Sequence, residues 1–282
     1  MTDLTLRSQA DFYAARAKAL FRDVLAFLTG RSNDPLAYDE VREKLRIGGP
    51  IYRGLKTVPV KQIIGSVNRY RDFDRAFLPT QSHTADRWTR INRAWYQDKS
   101  LPPVLLYQVG DVYFVVDGNH RVSVAREQGQ DYIDAEVREC RVKVAVTPDL
   151  RPEDLEILGA QVEFLERTGL DRLRPQAALE VTILGGYERL LEHIAVHRFF
   201  MGLDFRRDIS EAEAVEHWYD TVYVPVVSVI RASGLLAVFE GKTEADFYLW
   251  VMDHRHYLVA RGEADLVEPG QVAEEFIRRL GV

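Results

Sequence analysis

The chain has little that could cross-link it or hold it in a membrane. Cys140 is the single cysteine in 282 residues, which excludes an internal disulfide framework and a cysteine-rich metal site. No apolar run approaches the roughly 18 residues that a membrane-spanning helix needs. The opening residues, Met1–Arg7, lack the basic flank and apolar core of a secretory signal. These absences predict a cytoplasmic protein with no membrane partner.

Several common catalytic signatures are also missing. The sequence has no Gly-x-Ser-x-Gly elbow, no Gly-Lys-Ser/Thr phosphate-binding loop and no Rossmann glycine run. Positive charge is scarce in the second half: residues 151–282 carry 14 Lys and Arg and 24 Asp and Glu, a net charge of −10. Residues 1–150 carry 23 against 19. The acidic half would repel a nucleic-acid backbone, whereas the basic half is compatible with a local phosphate site.

The residues that are present predict an α+β protein in three parts. Residues 1–54 are predicted to form an N-terminal helical extension, because apolar positions from Ser8 to Thr29 follow helical spacing. Residues 55–150 alternate strand-like runs with helices and are predicted to form a mixed α/β core. Amphipathic helical stretches dominate residues 151–282, which predicts a mainly α-helical C-terminal domain after the turn-rich Thr147–Asp149.

The strongest local signal is a hairpin that leads straight into a helix. Gly110-Asp111 separates two β-rich runs, and the second run ends in Asp117-Gly118. A helical segment, residues 119–128, opens at once. A strand that turns sharply into a helix leaves backbone N–H groups unpaired at the positive end of the helix dipole. Gly118 removes a side chain where a ligand would approach the backbone. The pattern predicts a site for phosphate.

An ordinary strand–turn–helix connection explains the same residues. In that interpretation Asn119 serves only as the N-cap and Arg121 is solvated. Short glycine-containing motifs also match by chance. The local sequence by itself leaves the two interpretations open.

Four stretches in a fixed order carry a resemblance to a known family. They read VPVKQII (58–64), PPVLLY (102–107), VVDGNHRVSVA (115–125) and YIDAEV (132–137). Over residues 55–146 they resemble the ParB N-terminal/sulfiredoxin superfamily, and the wider N-terminal half is similar to a bacterial family with a ParB-like core. The resemblance implies a ParB/sulfiredoxin-like fold, with the segment Asp117–Arg121 holding nucleotide phosphates at a helix N-terminus.

Departures from the family pattern narrow the chemistry that the resemblance implies. Asn119 stands where sulfiredoxins carry a nucleophilic cysteine, and that reaction requires a thiol, which argues against sulfiredoxin activity. ParB CTPases have a Gly-Glu-Arg-Arg run, of which this chain keeps only Arg121 among the arginines. The motif Asp-Gly-His-His-Arg of the superfamily's free-serine kinases is more similar, over five residues.

The candidate ligand-binding residues lie either at this turn or in the loop around Gly65–Arg75. They are Ser66, Arg69, Arg71, Gly118, Asn119, His120 and Arg121. Arg121 is a candidate to neutralise phosphate, and a salt bridge with Asp117 or Glu127 is its alternative role. The loop from Gly65 to Arg75 is a candidate to close over a triphosphate or to form one wall of a substrate site. Its alternative is a charge-paired surface loop.

Asp117 and His120 are the candidate catalytic residues. Asp117 is a candidate to bind Mg²⁺ carried by the nucleotide or to accept a proton from a substrate hydroxyl, and its alternative is a turn residue. His120 is a candidate acid or base, since the pKa of a histidine lies near neutrality, and its alternative is packing beneath the turn. His193 and His197, four residues apart, have the spacing of a metal pair but lack the other ligands.

Together these observations predict a nucleotide-binding protein. Its ligand would be ATP, ADP or CTP with Mg²⁺, and as an enzyme it would be a phosphotransferase with a small-molecule acceptor, or a nucleotide hydrolase. The alternative is a non-enzymatic DNA-binding regulator of the partition or transcription type, which the acidic second half does not favour. Whether the chain forms a homo-oligomer is left open.

Overall fold

The computed structural model describes residues 3–30, 32–68, 71–260 and 268–280. The chain divides into two compact units, Met1–Leu155 and Glu156–Val282. The first unit contains a mixed sheet with helices, and the second contains helices.

The elements of the first unit alternate between helices and strands. They are α1 (Asp3–Thr29), β1 (Leu36–Ala37), α2 (Tyr38–Lys44), β2 (Pro50–Pro59), β3 (Ile63–Ser66), α3 (Ala85–Tyr96), β4 (Val104–Val109), β5 (Val112–Asp117), α4 (Asn119–Glu127) and β6 (Tyr132–Cys140), with 3-10 turns at Val60–Gln62, Ser82–Thr84 and Pro152–Asp154. The strands form one sheet in the order β1-β3-β5-β4-β6-β2. β3 is parallel to β1 and to β5, β4 is antiparallel to β5 and parallel to β6, and β2 is antiparallel to β6.

Helix α4 lies between the sheet and helices α1 and α3. Its Val122 and Ala125 pack with the apolar residues of the sheet. Val124 packs with Phe12 of α1 and Trp88 of α3. Because neighbours cover α4 on both sides, the start of this helix has a fixed place relative to the strand ends.

The second unit is built from helices around one apolar core. They are α5 (Leu155–Thr168), α6 (Leu170–Leu173), α7 (Gly186–Phe205), α8 (Glu211–Trp218), a π-helical turn (Tyr219–Tyr223), α9 (Val224–Ser233), α10 (Leu235–Val238), α11 (Glu244–Ala260) and α12 (Pro269–Leu280). Trp218 and Tyr248 lie at its centre, and the Trp218 indole donates a 3.0 Å hydrogen bond to the Tyr248 hydroxyl. Pro225 explains the π turn, since proline lacks an N–H and clashes with the carbonyl four residues earlier.

The predicted fold class is confirmed: a mixed α/β region is followed by a helical C-terminal region. Two local expectations are wrong. The N-terminal extension is not purely helical, because β1 and the first residues of β2 belong to the sheet, so that the boundary set at residue 54 falls inside β2. The alternation of apolar residues between Tyr132 and Val146 predicts a strand over this whole stretch, but the strand ends at Cys140.

Within the described residues, no helix is both long enough and apolar enough to cross a bilayer.

Candidate functional site

Two parallel strands bring Ser66 and the Asp117–Arg121 turn to one edge of the sheet. β3 and β5 are neighbours, and Ser66 at the end of β3 is in register with Val115 near the end of β5. The carboxyl ends of parallel strands point to the same edge, so the loop after β3 and helix α4 after β5 begin side by side. A contact confirms this placement, since Phe73 of the loop meets the His120 ring edge to face at 5.2 Å between centroids.

Gly118 makes the turn from β5 into α4. Its φ of +109° lies in the region that side-chain-bearing residues avoid. A Cβ at this position would lie 2.6 Å from Cγ1 of Val104 and 3.1 Å from Nε of Arg121. The missing side chain therefore lets the Arg121 side chain fold back over the turn. The space that we assigned to an approaching ligand is filled by these two side chains.

The Arg121 guanidinium joins the turn to the loop before β4. Nη1 donates to the carbonyl oxygens of Pro102 and Pro103 at 2.6 and 2.8 Å, and Nη2 donates to Oδ2 of Asp117 at 2.6 Å. Its side chain is 11% exposed, whereas that of Asp117 is 63% exposed. The salt bridge with Asp117 that the sequence left open is thus present. For Arg121 to contact an anion, the exposed Asp117 carboxylate would have to move away from the guanidinium, or Asp117 and the anion would have to bind the same cation.

The first two residues of α4 are polar and buried. Asn119 is 5% exposed and His120 is 4% exposed. Oδ1 of Asn119 has no hydrogen-bond partner in the described part of the chain, and a buried amide group in this state costs free energy unless something pairs with it. No side chain of the described residues caps the N-terminus of α4. The N-cap role of Asn119 in the alternative interpretation is wrong, because Gly118 occupies that position.

The remaining predicted residues lie on the loop side. Ser66 is buried, and its hydroxyl donates to the carbonyls of Asn68 and of Val115, the second at 3.1 Å. It therefore fixes the start of the loop. Arg71 is exposed, and its carbonyl oxygen accepts a hydrogen bond from the Thr80 hydroxyl. Arg69 lies outside the described residues.

Sequence reasoning missed two residues that hold α4 in place. The Ser123 hydroxyl accepts a 2.9 Å hydrogen bond from the Trp88 indole, with both groups buried. Arg126 donates to the carbonyls of Val60, Ile63 and Arg75. Burial lowers the pKa of the Arg126 guanidinium to about 10. In the sequence, only the apolar run around Ser123 indicated that these residues would be buried. Their hydrogen-bond partners come from distant segments and could not be predicted from it.

A cleft of about 230 Å³ lies beside Arg121, between the end of α3, α4 and β6. Lys99, Gln130 and Asp134 contribute polar groups to its wall, and Trp95 and Ile133 contribute apolar ones. The cleft is large enough for a small polar group and is open to solvent. Arg121 itself lines this cleft.

The metal-ligating candidates are dispersed. In the described ranges, no three His, Cys, Asp or Glu residues are grouped to hold a metal ion. His193 and His197 do not share a site, since His193 packs against Tyr248 while Nε2 of His197 lies 2.8 Å from Nδ1 of His217. Cys140 is buried in β6, and burial raises the pKa of its thiol.

Comparison with known proteins adds little to this geometry. No family model and no curated protein matches the chain. One solved structure that is similar to it is the C-terminally truncated chromosome-partitioning protein ParB from Caulobacter crescentus, crystallised with CTP-gamma-S. The two share 14% identity over 80% of this chain and 99% of that one, with a TM-score of 0.24. A score this low carries no argument about the site.

Proposed function

We propose that this protein binds the phosphate groups of a nucleotide at the N-terminus of α4. The observation that carries the proposal is the combination of a helix start without a side-chain cap and a buried Asn119 amide with an unpaired oxygen. An uncapped helix start offers backbone N–H donors and the positive end of the dipole to an anion. The amide can pair with a ligand through its oxygen or, after a flip, through its nitrogen.

The surrounding charge supports an anionic ligand. Residues 1–150 carry a net charge of +4, and Arg71 lies on the loop that begins beside α4. Arg121 holds the turn against the carbonyls of Pro102 and Pro103 and keeps one cationic group at the helix start. Its first role in this proposal is to position the N–H groups of Asn119 and His120, because the N–H of Arg121 already donates to the Gly118 carbonyl at 2.8 Å.

Asp117 is the candidate to meet the divalent cation of a nucleotide. Its carboxylate is exposed at the end of β5, and Mg²⁺ bound with nucleotides uses one or two protein carboxylates together with phosphate oxygens. Such a cation would neutralise phosphate charge next to His120. The reaction class that these residues fit is phosphoryl transfer or hydrolysis, with Asp117 and His120 as the polar groups.

Calorimetry with ATP, ADP, CTP and GTP, each with and without Mg²⁺, tests the proposal. We expect at least one to bind, and Asn119→Ala to weaken binding about tenfold or more through loss of a buried polar contact. Arg53→Ala is the matched control, because Arg53 is a surface arginine of the same unit, paired with Glu139. The absence of binding heat with all four nucleotides would refute the proposal. Release of inorganic phosphate from the bound nucleotide then decides whether a reaction occurs.

The DNA-binding alternative is tested by gel shift with random duplex at low salt. The net charge of −10 over residues 151–282 predicts no retention. Retention that fades steeply with added salt would favour the alternative.

A further inference from the structure

Helix α1 carries apolar residues on two faces, and only one of them is covered. Phe12, Ala15 and Ala19 pack against Trp88 of α3 and neighbouring residues. The other face is exposed to solvent along the whole helix. We call it the outer stripe, and its members are Leu6, Ala10, Tyr13, Ala17, Leu20, Val24 and Phe27.

The spacing of the outer stripe is that of a coiled coil. Its members are separated by alternating steps of four and three residues, which is the a/d pattern of a 3.5-residue repeat. The stripe extends over 22 residues, Leu6 to Phe27, or about 30 Å at 1.5 Å per residue. Phe27 is 86% exposed and Leu20 is 66% exposed. Continuous apolar surface of this kind marks an interaction site.

We propose that the outer stripe pairs with the outer stripe of a second copy of this chain, as an antiparallel coiled coil around a two-fold axis. A two-fold interface uses the same patch on both subunits, so the patch must complement itself. In an antiparallel pair each a residue faces a d residue of the other helix. The test of self-complementarity is therefore whether the a and d side chains differ in size.

The a and d positions do differ in size. The a positions hold the smaller residues Ala10, Ala17 and Val24, and the d positions hold Leu6, Tyr13, Leu20 and Phe27. With Ala17 opposite Leu20 of the partner subunit, Ala10 faces Phe27 of the partner subunit and Val24 faces Tyr13 of the partner subunit. Each layer then joins a smaller side chain to a larger one. A parallel pair would stack alanine on alanine and phenylalanine on phenylalanine.

The flanking charges select the same direction. Arg16 and Asp23 occupy successive g positions, and an antiparallel pair places g beside g. In the stated register Arg16 lies beside Asp23 of the partner subunit, and the two-fold axis repeats this contact. A parallel pair would instead place Arg16 and Asp23 beside the apolar e residues Phe21 and Leu28. The charge pattern therefore fits a second copy of this chain in antiparallel orientation.

Sedimentation equilibrium of the full chain tests the proposal. We expect the dimer to be populated once the protein concentration reaches about 100 µM. Leu20→Glu should raise the dissociation constant of the dimer about 100-fold or more, because it places two carboxylates in an apolar seam. Leu55→Glu is the matched control, because Leu55 has the same exposure of 66% in β2. Circular dichroism checks that both variants fold. A wild-type monomer at all concentrations, or a dimer that Leu20→Glu leaves intact, overturns the proposal.

Two cysteine variants test the orientation. Ala17→Cys lies near the proposed axis and should be linked to its copy by a short bismaleimide. Ala10→Cys occupies the same heptad position, but its copy would lie about 25 Å away along the antiparallel helices. Linkage of Ala17→Cys alone is the expected result, whereas linkage of both variants would refute the antiparallel arrangement. The native Cys140 is buried, and the unmodified chain measures its background.

A charge swap tests the register. Arg16→Asp should weaken the dimer, and adding Asp23→Arg should restore it, since the swap recreates the g–g pair with reversed signs. Asp23 also accepts a 2.6 Å hydrogen bond from Asn33, so the rescue, rather than the single Asp23 variant, is the readout. Failure of rescue would refute the stated register.

Discussion

Arg121 donates a 2.6 Å hydrogen bond to Asp117 across the single turn that joins β5 to α4. The pair places a cation and a carboxylate together at a helix start that we propose as a phosphate site. The carboxylate opposes binding of bare phosphate and favours binding of a cation with the phosphate. This opposition gives the first prediction.

Asp117→Asn should strengthen binding of metal-free nucleotide about threefold, because removal of an exposed ion-pair partner changes the interaction free energy by less than about 1 kcal/mol. The same substitution should abolish the effect of Mg²⁺ on affinity. Calorimetry with and without EDTA measures both. Asp111→Asn, in the exposed hairpin turn, is the control. If Asp117→Asn leaves both affinities unchanged, Asp117 takes no part in the ligand site.

Gly118→Ala should lower the free energy of unfolding by about 2 to 4 kcal/mol, since it combines a left-handed backbone with a methyl group 2.6 Å from Val104. Gly129→Ala separates the two effects. Gly129 also has a positive φ of +69°, but no described atom lies within 4 Å of its Cβ position. We expect about 1 kcal/mol there. Urea unfolding measures both variants, and equal losses would contradict the packing role of Gly118.

Ser123→Ala should destabilise the first unit by about 1 to 3 kcal/mol, because the buried Trp88 indole loses its acceptor. A double-mutant cycle with Trp88→Phe isolates the hydrogen bond from the loss of packing. A coupling energy near zero in urea unfolding would show that this bond does not anchor α4.

The stability of the second unit should fall as the pH falls below about 6.5, which is the ordinary pKa of a histidine side chain. Burial and the neighbouring His217 lower the pKa of His197 in the folded protein. Between the lowered value and 6.5 the unfolded chain binds more protons, so the free energy of unfolding decreases as the pH decreases. Phe205 and Thr221 also contact His217, and the carboxylates of Glu213 and Asp220 interact with it electrostatically.

Urea unfolding at about pH 5.5 and about pH 7.5 measures this dependence. His197→Asn should reduce the difference between the two conditions, because it removes the titrating ring. A pH dependence identical to that of the wild-type chain would assign the effect to other groups.

The sequence by itself determined the elements around the site. The spacing of apolar residues predicted the hairpin of β4 and β5, the helix that follows Gly118 and the helical character of residues 151–282. These features follow from neighbours along the chain, since a strand or helix exposes its periodicity within one segment. The α+β class followed from the order of those segments.

Only the tertiary structure decided which groups those elements bring together. Arg121 was predicted as an anion ligand with a salt bridge as its alternative, and its guanidinium pairs with Asp117 and with carbonyls 18 and 19 residues away. The two roles of α1 could not be separated in the sequence, because both of its faces are apolar. Packing of α3 on one face left the other exposed. Such choices depend on segments that are distant in sequence, and a local pattern contains no information about them.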